Sequence, residues 1–599
     1  MLIKPYKRGY SRVNTIVFDV ETTTDTIPLL FKLAVVENNE NYATVFNMDD
    51  MTQQILNFTR KGKNFIFAHN SEFDCSYLNH ALISKSGYEL KSINTNPFFI
   101  KYVHLTKRRE LIFLDTMNFV RMSLKALGKM LNEEKLEIDF KKCSMKELEI
   151  YCKQDVVITK KTIEWIYQFH EFFDVDVGIT FPSLAYKTFR KHFLKCDLSI
   201  SSNKSVRELE RMAYMGGRVE VFDFNLYKEA FYNDINSLYP FVMRNNDFPT
   251  ELISYYSKDS VDELGQKTIL QKMFAELESD NGVIAKVCVN IPRQKIGMIP
   301  KRLKDKLIFP CGKFETTLCS PELKLVKPFI KSVNEMSIYK MTNLFEEFVD
   351  YFYTKRLEAK ESGDSVQDLF YKLFMNSLYG KFGQRKFKDI LMPEFDNIYN
   401  VACNDVFIEE LNEKVTIKWL GGVAYKKDIQ YDNPSSFVAI AGFVTSYARV
   451  ELYNYLIANE DSILYCDTDS IVLPYALEDS KVLGSMKIEK CYFDFQAYGN
   501  KAYWFSGGYY FTKEGKDFFE AGYKLKGVPK KFISTNEPTI IKITRTEIQT
   551  KYDKISKMNE SVRRFKDIRP RIIKVDKTFQ RTYDKRIINK DLTTRAILL

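Results

Sequence analysis

At 599 residues and 45 % hydrophobic, the chain is too long for one core and holds apolar material for roughly three to five domains. No apolar run approaches the roughly 18 residues of a membrane-spanning helix, and the first residues lack a signal peptide's apolar stretch. Ten cysteines without a Cys-x-x-Cys pair and five unclustered histidines argue against a zinc site or a disulfide framework, so a reduced, intracellular protein without a membrane partner is expected.

The formal charge of +11 is unevenly placed: Lys551 to Leu599 carries 15 Lys/Arg against 6 Asp/Glu, a net +9. A basic terminal unit suits a phosphate backbone, bound through counterion release. A solvated basic tail is the alternative, although the interspersed Ile, Val and Phe favour a folded unit. Aromatic residues, 14 % of the chain and rich in Tyr, suit base stacking and core packing equally.

Along the chain, the apolar run Asn14 to Phe18 predicts a buried strand that delivers Asp19 and Glu21 on one side. A second predicted strand, Asn64 to Ala68, leads to His69-Asn70-Ser71-Glu72-Phe73-Asp74, and a third, Leu111 to Leu114, ends at Asp115. Ser144 with Glu147 three residues on is a capping-box signature, opening a helix that runs through Tyr167 and places Tyr151 and Asp155 on one face. Asp19, Glu21, Asp74 and Asp155 would then converge. Such a cluster stays ionised only with cations, and two bound metal ions activate water and stabilise the leaving oxygen of a phosphodiester, with Tyr151 orienting the water.

Farther on, the paired glycines of Tyr214-Met215-Gly216-Gly217 permit positive φ or a close backbone approach, beside a Tyr able to pack on a sugar or base; a plain turn is the alternative. Phe231 to Pro240 predicts a strand ending at Asp234, then a turn and helix entrance whose amides suit triphosphate oxygens. Tyr239 beneath the sugar would clash with a 2′-hydroxyl. Ser365 to Gly380 predicts a helix with a Ser-x-x-Asp cap and a terminal glycine; Lys372, Asn376 and Tyr379 share one stripe, a natural nucleotide surface or else merely a solvated face. Tyr465 to Ser470 predicts strand, acidic turn, strand. On a regular pleat Asp467 and Asp469 would share a face and need a cation between them, and Mg²⁺ suits so short a carboxylate set; an ordinary Asp-rich hairpin is the alternative. Asp234 would supply the second segment of that metal site.

Taken in order, Asp19-x-Glu21, Asn70-x-x-Phe73-Asp74 and Tyr151-x-x-x-Asp155 resemble the three exonuclease motifs of proofreading DNA polymerases. Lys372 to Gly380 resembles the fingers motif of family B DNA polymerases, and Tyr214 to Gly217 is similar to the Tyr-x-Gly-Gly template-binding loop of the protein-primed members. The resemblance implies a multidomain α/β fold, a ribonuclease-H-like exonuclease followed by palm, fingers and thumb. The expected divisions are 1–180 exonuclease, 181–250 palm, 251–345 an insertion contacting a terminal protein and DNA, with palm strands, 346–383 fingers, 384–432 a second insertion for processivity and strand displacement, 433–525 palm and 526–599 thumb.

By the same resemblance, Lys135 assists the nuclease, and His69, Asn70 and Phe73 hold a frayed primer strand. Lys360 joins Lys372 on the triphosphate, with Arg356 as a helper. Thr445 and Arg449 fall in a primer-terminus motif, Lys501 and Tyr503 in a Lys-x-Tyr motif that steadies the primer end, and Lys524 and Lys526 in a basic turn leading to the thumb. Two Mg²⁺ per active site are implied, with Mn²⁺ able to substitute, held by Asp234 and Asp469 for synthesis, with Asp467 in support, and by Asp19, Glu21, Asp74 and Asp155 for hydrolysis. The implied partners are template and primer DNA, deoxynucleoside triphosphates and a priming terminal protein. The implied setting is a monomer or a heterodimer with that protein, in the cytoplasm of a phage or linear-plasmid host. A nucleic-acid-primed polymerase of the same family, or a DNA-binding accessory protein that has lost catalysis, are the other readings.

Overall fold

The computed structural model describes residues 1–23, 30–38, 41–258, 263–304, 306–386, 389–393, 403–408, 413–420, 423–427, 431–433, 436–477, 480, 482–512, 515–525, 541–549, 571–579 and 583–599. The N-terminal part is built on a seven-stranded mixed sheet in the order Asn41–Val45, Phe31–Asn38, Asn14–Thr22, Gly62–Ala68, Arg109–Asp115, Phe98–His104, Tyr88–Thr95. Its three central strands run parallel, and their unbroken apolar runs are what burial on both faces requires. The carboxyl ends of these strands therefore lie on one edge of the sheet, where Asp19, Glu21, the His69–Asp74 turn and Asp115 emerge. In open α/β sheets that edge is where ligands bind.

The helix Met145–Phe172 starts at the expected capping box: Glu147 N donates to Ser144 Oγ (3.2 Å) and Ser144 N to Glu147 Oε2 (2.8 Å). Leu148, Cys152 and Val156 bury one stripe of it against Val17, Leu33 and Val35, which turns Tyr151 and Asp155 toward the sheet edge. At its far end Phe169 stacks on Phe370 of a later helix, with ring centroids 3.3 Å apart.

A second seven-stranded sheet, antiparallel throughout, has the order Val219–Val221, Tyr465–Asp467, Ser470–Leu473, Tyr227–Ile235, Met486–Gly499, Ala502–Thr512, Gly515–Leu525. Helices Leu238–Asn245, Glu346–Glu361, Ser365–Phe382 and Val438–Ala458 share its main core. The last of these is buried on nearly every side over its first half, as its apolar sequence demands. Glu346–Glu361 and Ser365–Phe382 form a hairpin, joined by a turn at Gly363 (φ 75°). The cap of the second helix differs from expectation: Asp364, not Ser365, accepts from Val366 N and Gln367 N, and the helix passes through Gly380 to end at Gly383.

The interval 251–345 contributes a four-stranded sheet, Phe248–Ser257, Ile330–Thr342, Gly282–Ile291, Gly312–Cys319, and a small hairpin, Lys301–Leu303 with Lys306–Ile308. The interval 384–432 is strand-rich, as expected. Asp389–Leu391, Val423–Lys427, Glu413–Leu420 and Cys403–Ile408 join Ile541–Gln549 and Arg571–Phe579 in one six-stranded sheet, and Leu420, Val423 and Tyr425 pack into the core of the N-terminal sheet. Lys526 lies outside the described residues. No described helix is long and apolar enough to cross a membrane.

Candidate active sites

Asp234 ends the central strand Tyr227–Ile235 and pairs with Ser470, directly beside the hairpin that carries Asp469. The Asp467–Ser470 turn is tight, and Thr468 takes φ 67°. This left-handed residue breaks the pleat's alternation, so the expectation that Asp467 and Asp469 share a face is corrected. Asp469 lines a cavity of about 560 Å³ together with Asp234, whereas Asp467 does not line it and is ion-paired with Lys501 Nζ at 2.9 Å. The division into a direct acid and a supporting acid thus has a geometric basis.

The same cavity is lined by Tyr239, Arg356, Lys360, Lys372 and Asn376, and its volume is in the range that takes a nucleotide-sized ligand. Arg356 donates to Asp368 (2.8 Å) and to Ser237 Oγ (3.0 Å), fastening the helical hairpin to the turn after Asp234. Tyr239 stacks on Tyr379, with centroids 4.6 Å apart. Burial first, then the negative charge of Asp469, raises Asp234 to about 8, and burial with Asp467 raises Asp469 to about 6. Burial also lowers Lys360.

Lys487 and Glu489 are among the lining residues that escaped the sequence reading. Both belong to Met486–Gly499, which pairs with the Asp234 strand. Asp234 faces Lys487, but a β-bulge between Tyr232 and Asn233 leaves Glu489 without a partner in the ladder. Neither residue carries a motif, and a bulge that re-aims a side chain is invisible to simple alternation.

The Tyr214 to Gly217 loop packs beneath the acidic turn. A Cβ on Gly217 would sit 2.8 Å from Thr468 Cγ2, and one on Gly383 would sit 2.4 Å from Tyr214. Tyr214, Gly216, Gly217, Thr445 and Thr468 line one cleft with Arg211, Arg302 and Arg385. Arg449 is not on that surface, which corrects its placement against DNA: it is 4 % exposed, paired with Glu322 (2.7 and 3.0 Å), and donates to the carbonyls of Met215 (2.6 Å) and Gly216 (3.0 Å). It holds the loop from below. Tyr503 is corrected likewise: at 4 % exposure it belongs to the sheet core, its hydroxyl 3.0 Å from that of Tyr492. Lys524 is exposed.

The second acidic site forms at the edge of the N-terminal sheet. The ligand atoms of Asp19, Glu21 and Cys152 lie within 4.8 Å of one another. Asp74, 3 % exposed, accepts from Val20 N at 3.0 Å and so lies against the same strand. Lys135 forms an ion pair with Asp155 and sits 4.3 Å from the centre of the Tyr151 ring, bringing all of the expected nuclease residues to one place. Burial and mutual repulsion raise Asp19 to about 7 and Glu21 to about 8, and push Asp74 well up; burial raises Asp155. Asp155 Oδ1 is buried without a hydrogen-bond partner. His69, lowered to about 4 by burial, contacts Thr116 Oγ1 through Nδ1 at 2.7 Å. Asn70 is exposed at φ 65°, and Phe73 packs on Tyr77. Asp115, read from sequence only as a strand end, accepts from the amides of Asn70 (3.1 Å), Ser71 (3.1 Å) and Met117 (2.8 Å) and fixes that turn.

Both sites gather hard carboxylate oxygens that burial first and neighbouring charge second hold partly protonated, the donor chemistry a divalent cation takes. The raised values carry a consequence for stability. The folded chain binds these protons more tightly than the unfolded chain, whose carboxylates titrate near 4, so stability falls as pH rises from about 4 to about 8. A bound cation removes that cost. Mg²⁺ is therefore expected to raise the Tm of EDTA-stripped protein more at pH 8 than at pH 5.5; equal shifts at the two pH values in a thermal-shift series would contradict it.

The family of DNA polymerase type B, organellar and viral, matches residues 132–462, and the chain belongs to that family. It is similar to a DNA-directed DNA polymerase of Enterobacteria phage PRD1, 27 % identical over 480 residues that make up 76 % of each chain. It is also similar to a probable DNA polymerase of Neurospora intermedia, 28 % identical over 396 residues, 62 % of this chain and only 38 % of that longer protein. Among solved structures, Phi29 DNA polymerase complexed with primer-template DNA and incoming nucleotide substrates superimposes with a TM-score of 0.70 at 17 % identity, covering 96 % of this chain and 100 % of that one. The multidomain α/β fold expected from the sequence is therefore the fold observed.

Proposed function

We propose that the chain is a template-directed DNA polymerase that carries a separate 3′→5′ exonuclease. The observation that carries this reading is the pairing of Asp234 and Asp469 in one cavity with Lys360, Lys372 and Asn376. In it, 1–180 is the nuclease, 181–250 and 433–525 the palm, 346–383 the fingers and 526–599 the thumb, with insertions at 251–345 and 384–432. Lys360, Lys372 and Arg356 neutralise the triphosphate, and Asn376 lies beside the nucleotide. Tyr239, backed by Tyr379, closes the space a 2′-hydroxyl would need. Asp234 and Asp469 hold the metal ions, and Lys501 keeps Asp467 oriented behind them. Mg²⁺ held by these two raised carboxylates would supply charge stabilisation for an in-line phosphoryl displacement. In the nuclease, Asp19, Glu21, Asp74 and Asp155 hold the corresponding ions and Lys135 steadies Asp155.

The test is extension of a primed template with labelled deoxynucleotides and Mg²⁺; a purified chain that extends nothing would overturn the reading. Tyr239→Val is expected to raise ribonucleotide relative to deoxynucleotide incorporation by about 100-fold, and an unchanged ratio would remove Tyr239 from that role. We further propose initiation on a terminal protein, supported by the Tyr-Met-Gly-Gly loop packed on the catalytic turn and by the two insertions. Labelled nucleotide offered with a candidate terminal protein should give a covalent nucleotidyl-protein. Primer extension without that adduct would favour the nucleic-acid-primed reading.

A further inference from the structure

The strand Val219–Val221 is an edge of the second seven-stranded sheet, and among the described residues its one strand neighbour there is Tyr465–Asp467. Its free side is covered by the last segment of the chain, residues 583–599. Val221 N donates to Tyr583 Oη (2.8 Å), Lys585 Nζ to the Val219 carbonyl (3.1 Å) and Thr594 N to the Phe222 carbonyl (2.8 Å). Beneath this cover three charges are sealed from water: Arg218 is 1 %, Glu220 0 % and Arg586 3 % exposed.

Arg218 Nε donates to Glu220 Oε2 at 2.7 Å. The other oxygen, Oε1, accepts no hydrogen bond and is met by Arg586 Nη1 at 3.5 Å. Arg586 is itself held in place, donating to Thr594 Oγ1 (2.7 Å) and the Lys295 carbonyl (2.5 Å) over the face of Phe222. A buried ion triad adds little stability compared with an apolar filling of the same volume; what it sets is position. The position set is that of Arg218, whose carbonyl accepts from Thr468 N at 2.7 Å. Thr468 is the left-handed residue that separates Asp467 from Asp469 and presses on Gly217.

We propose that Arg586 is a positioning residue of the synthetic site, acting through Glu220 and Arg218 on the turn that carries Asp469. The terminal segment, more than 100 residues beyond the acidic turn in the chain, thereby fixes the geometry of the metal-holding carboxylate. The inference rests on the polymerase reading above. The two are separable: extension by the unaltered chain tests the reading, and the ratio of variant to unaltered chain tests the inference.

The experiment compares full-length Arg586→Met, Arg586→Lys, Glu220→Gln and the Glu220→Gln/Arg586→Met double variant. Each is measured for single-nucleotide kcat and KM, primer-template affinity, and degradation of a single-stranded oligonucleotide at the other site. Arg586→Met is expected to lower kcat by about 10- to 100-fold, the range seen when support behind a metal ligand is removed. KM, DNA affinity and strand degradation should stay within about twofold. Arg586→Lys should restore most of kcat, and the double variant should lose no more kcat than the more damaged of Glu220→Gln and Arg586→Met, because both residues lie on one chain of contacts to the turn. The proposal is overturned if Arg586→Met keeps its kcat, if the loss lies in DNA affinity alone, or if synthesis and degradation fall together in both Arg586 variants, which would make the residue a general prop of the fold.

Discussion

Replacing Asp234 by Asn is expected to cut nucleotide incorporation by about 1,000-fold or more, roughly 4 kcal/mol of transition-state stabilisation, while leaving the folded chain intact. The substitution keeps the side-chain volume and removes one of two buried acids, Asp234, which burial and Asp469 hold at about 8, beside Asp469, which burial and Asp467 hold at about 6. It therefore relieves a cost in the metal-free protein. Asp469, raised by burial and by Asp467, should keep its titration, and the Tm in EDTA at pH 8 should stay level or rise. That combination, activity lost with stability kept, is the signature of a ligand as opposed to a packing residue. Asp469→Asn should behave alike. Asp467→Asn should be milder, since Asp467 stands outside the cavity in an ion pair with Lys501. Incorporation kinetics, thermal denaturation and degradation of single-stranded DNA on the same preparations check all three. Retained incorporation in Asp234→Asn, or a parallel loss of strand degradation, would refute the assignment.

The elements that position both sites were legible because their signals are local. Apolar runs such as Ile16–Phe18 and Leu111–Leu114 mark strands buried on two faces, and Ser144 with Glu147 marks a helix start wherever it occurs. The carboxylates were legible as sets, through motifs whose order and spacing survive in the chain. What failed were inferences about where a side chain ends up once distant segments meet. Arg449 reads as a surface cation for DNA until Glu322, more than 100 residues earlier, supplies the buried partner that lets a guanidinium live in the core. Tyr503 reads as a primer contact until the sheet closes over its ring. Asp467 and Asp469 share a face on paper because period-two alternation assumes a straight strand, and Thr468 at positive φ ends the strand between them. Glu489 was missed for the related reason that a bulge shifts register by one residue. At the start of Ser365–Phe382 two capping candidates stand side by side, and only backbone geometry decides that Asp364 takes the role.

The proposed nuclease site gives the complementary result. Asp19→Ala with Glu21→Ala should lower degradation of single-stranded DNA by about 1,000-fold or more, with nucleotide incorporation unchanged. Both residues end one strand of the N-terminal sheet, and the incorporation cavity is lined wholly by residues of the second sheet and its helices. Removing the pair also removes two carboxyls that burial and neighbouring charge hold at about 7 and about 8 at this edge. The Mg²⁺-dependent gain in Tm at pH 8 should then shrink by the share this site contributes, leaving that of Asp234 and Asp469. Lys135→Ala separates charge support from ligation: it removes the ion pair to Asp155 but no carboxylate, so degradation should fall by about 10- to 100-fold, less than in the double variant. Mispaired primer ends should consequently persist in both variants while matched ends extend at the normal rate. Equal loss of synthesis and degradation in the double variant would mean that the two acid clusters serve one reaction, and the two-site assignment would have to be abandoned.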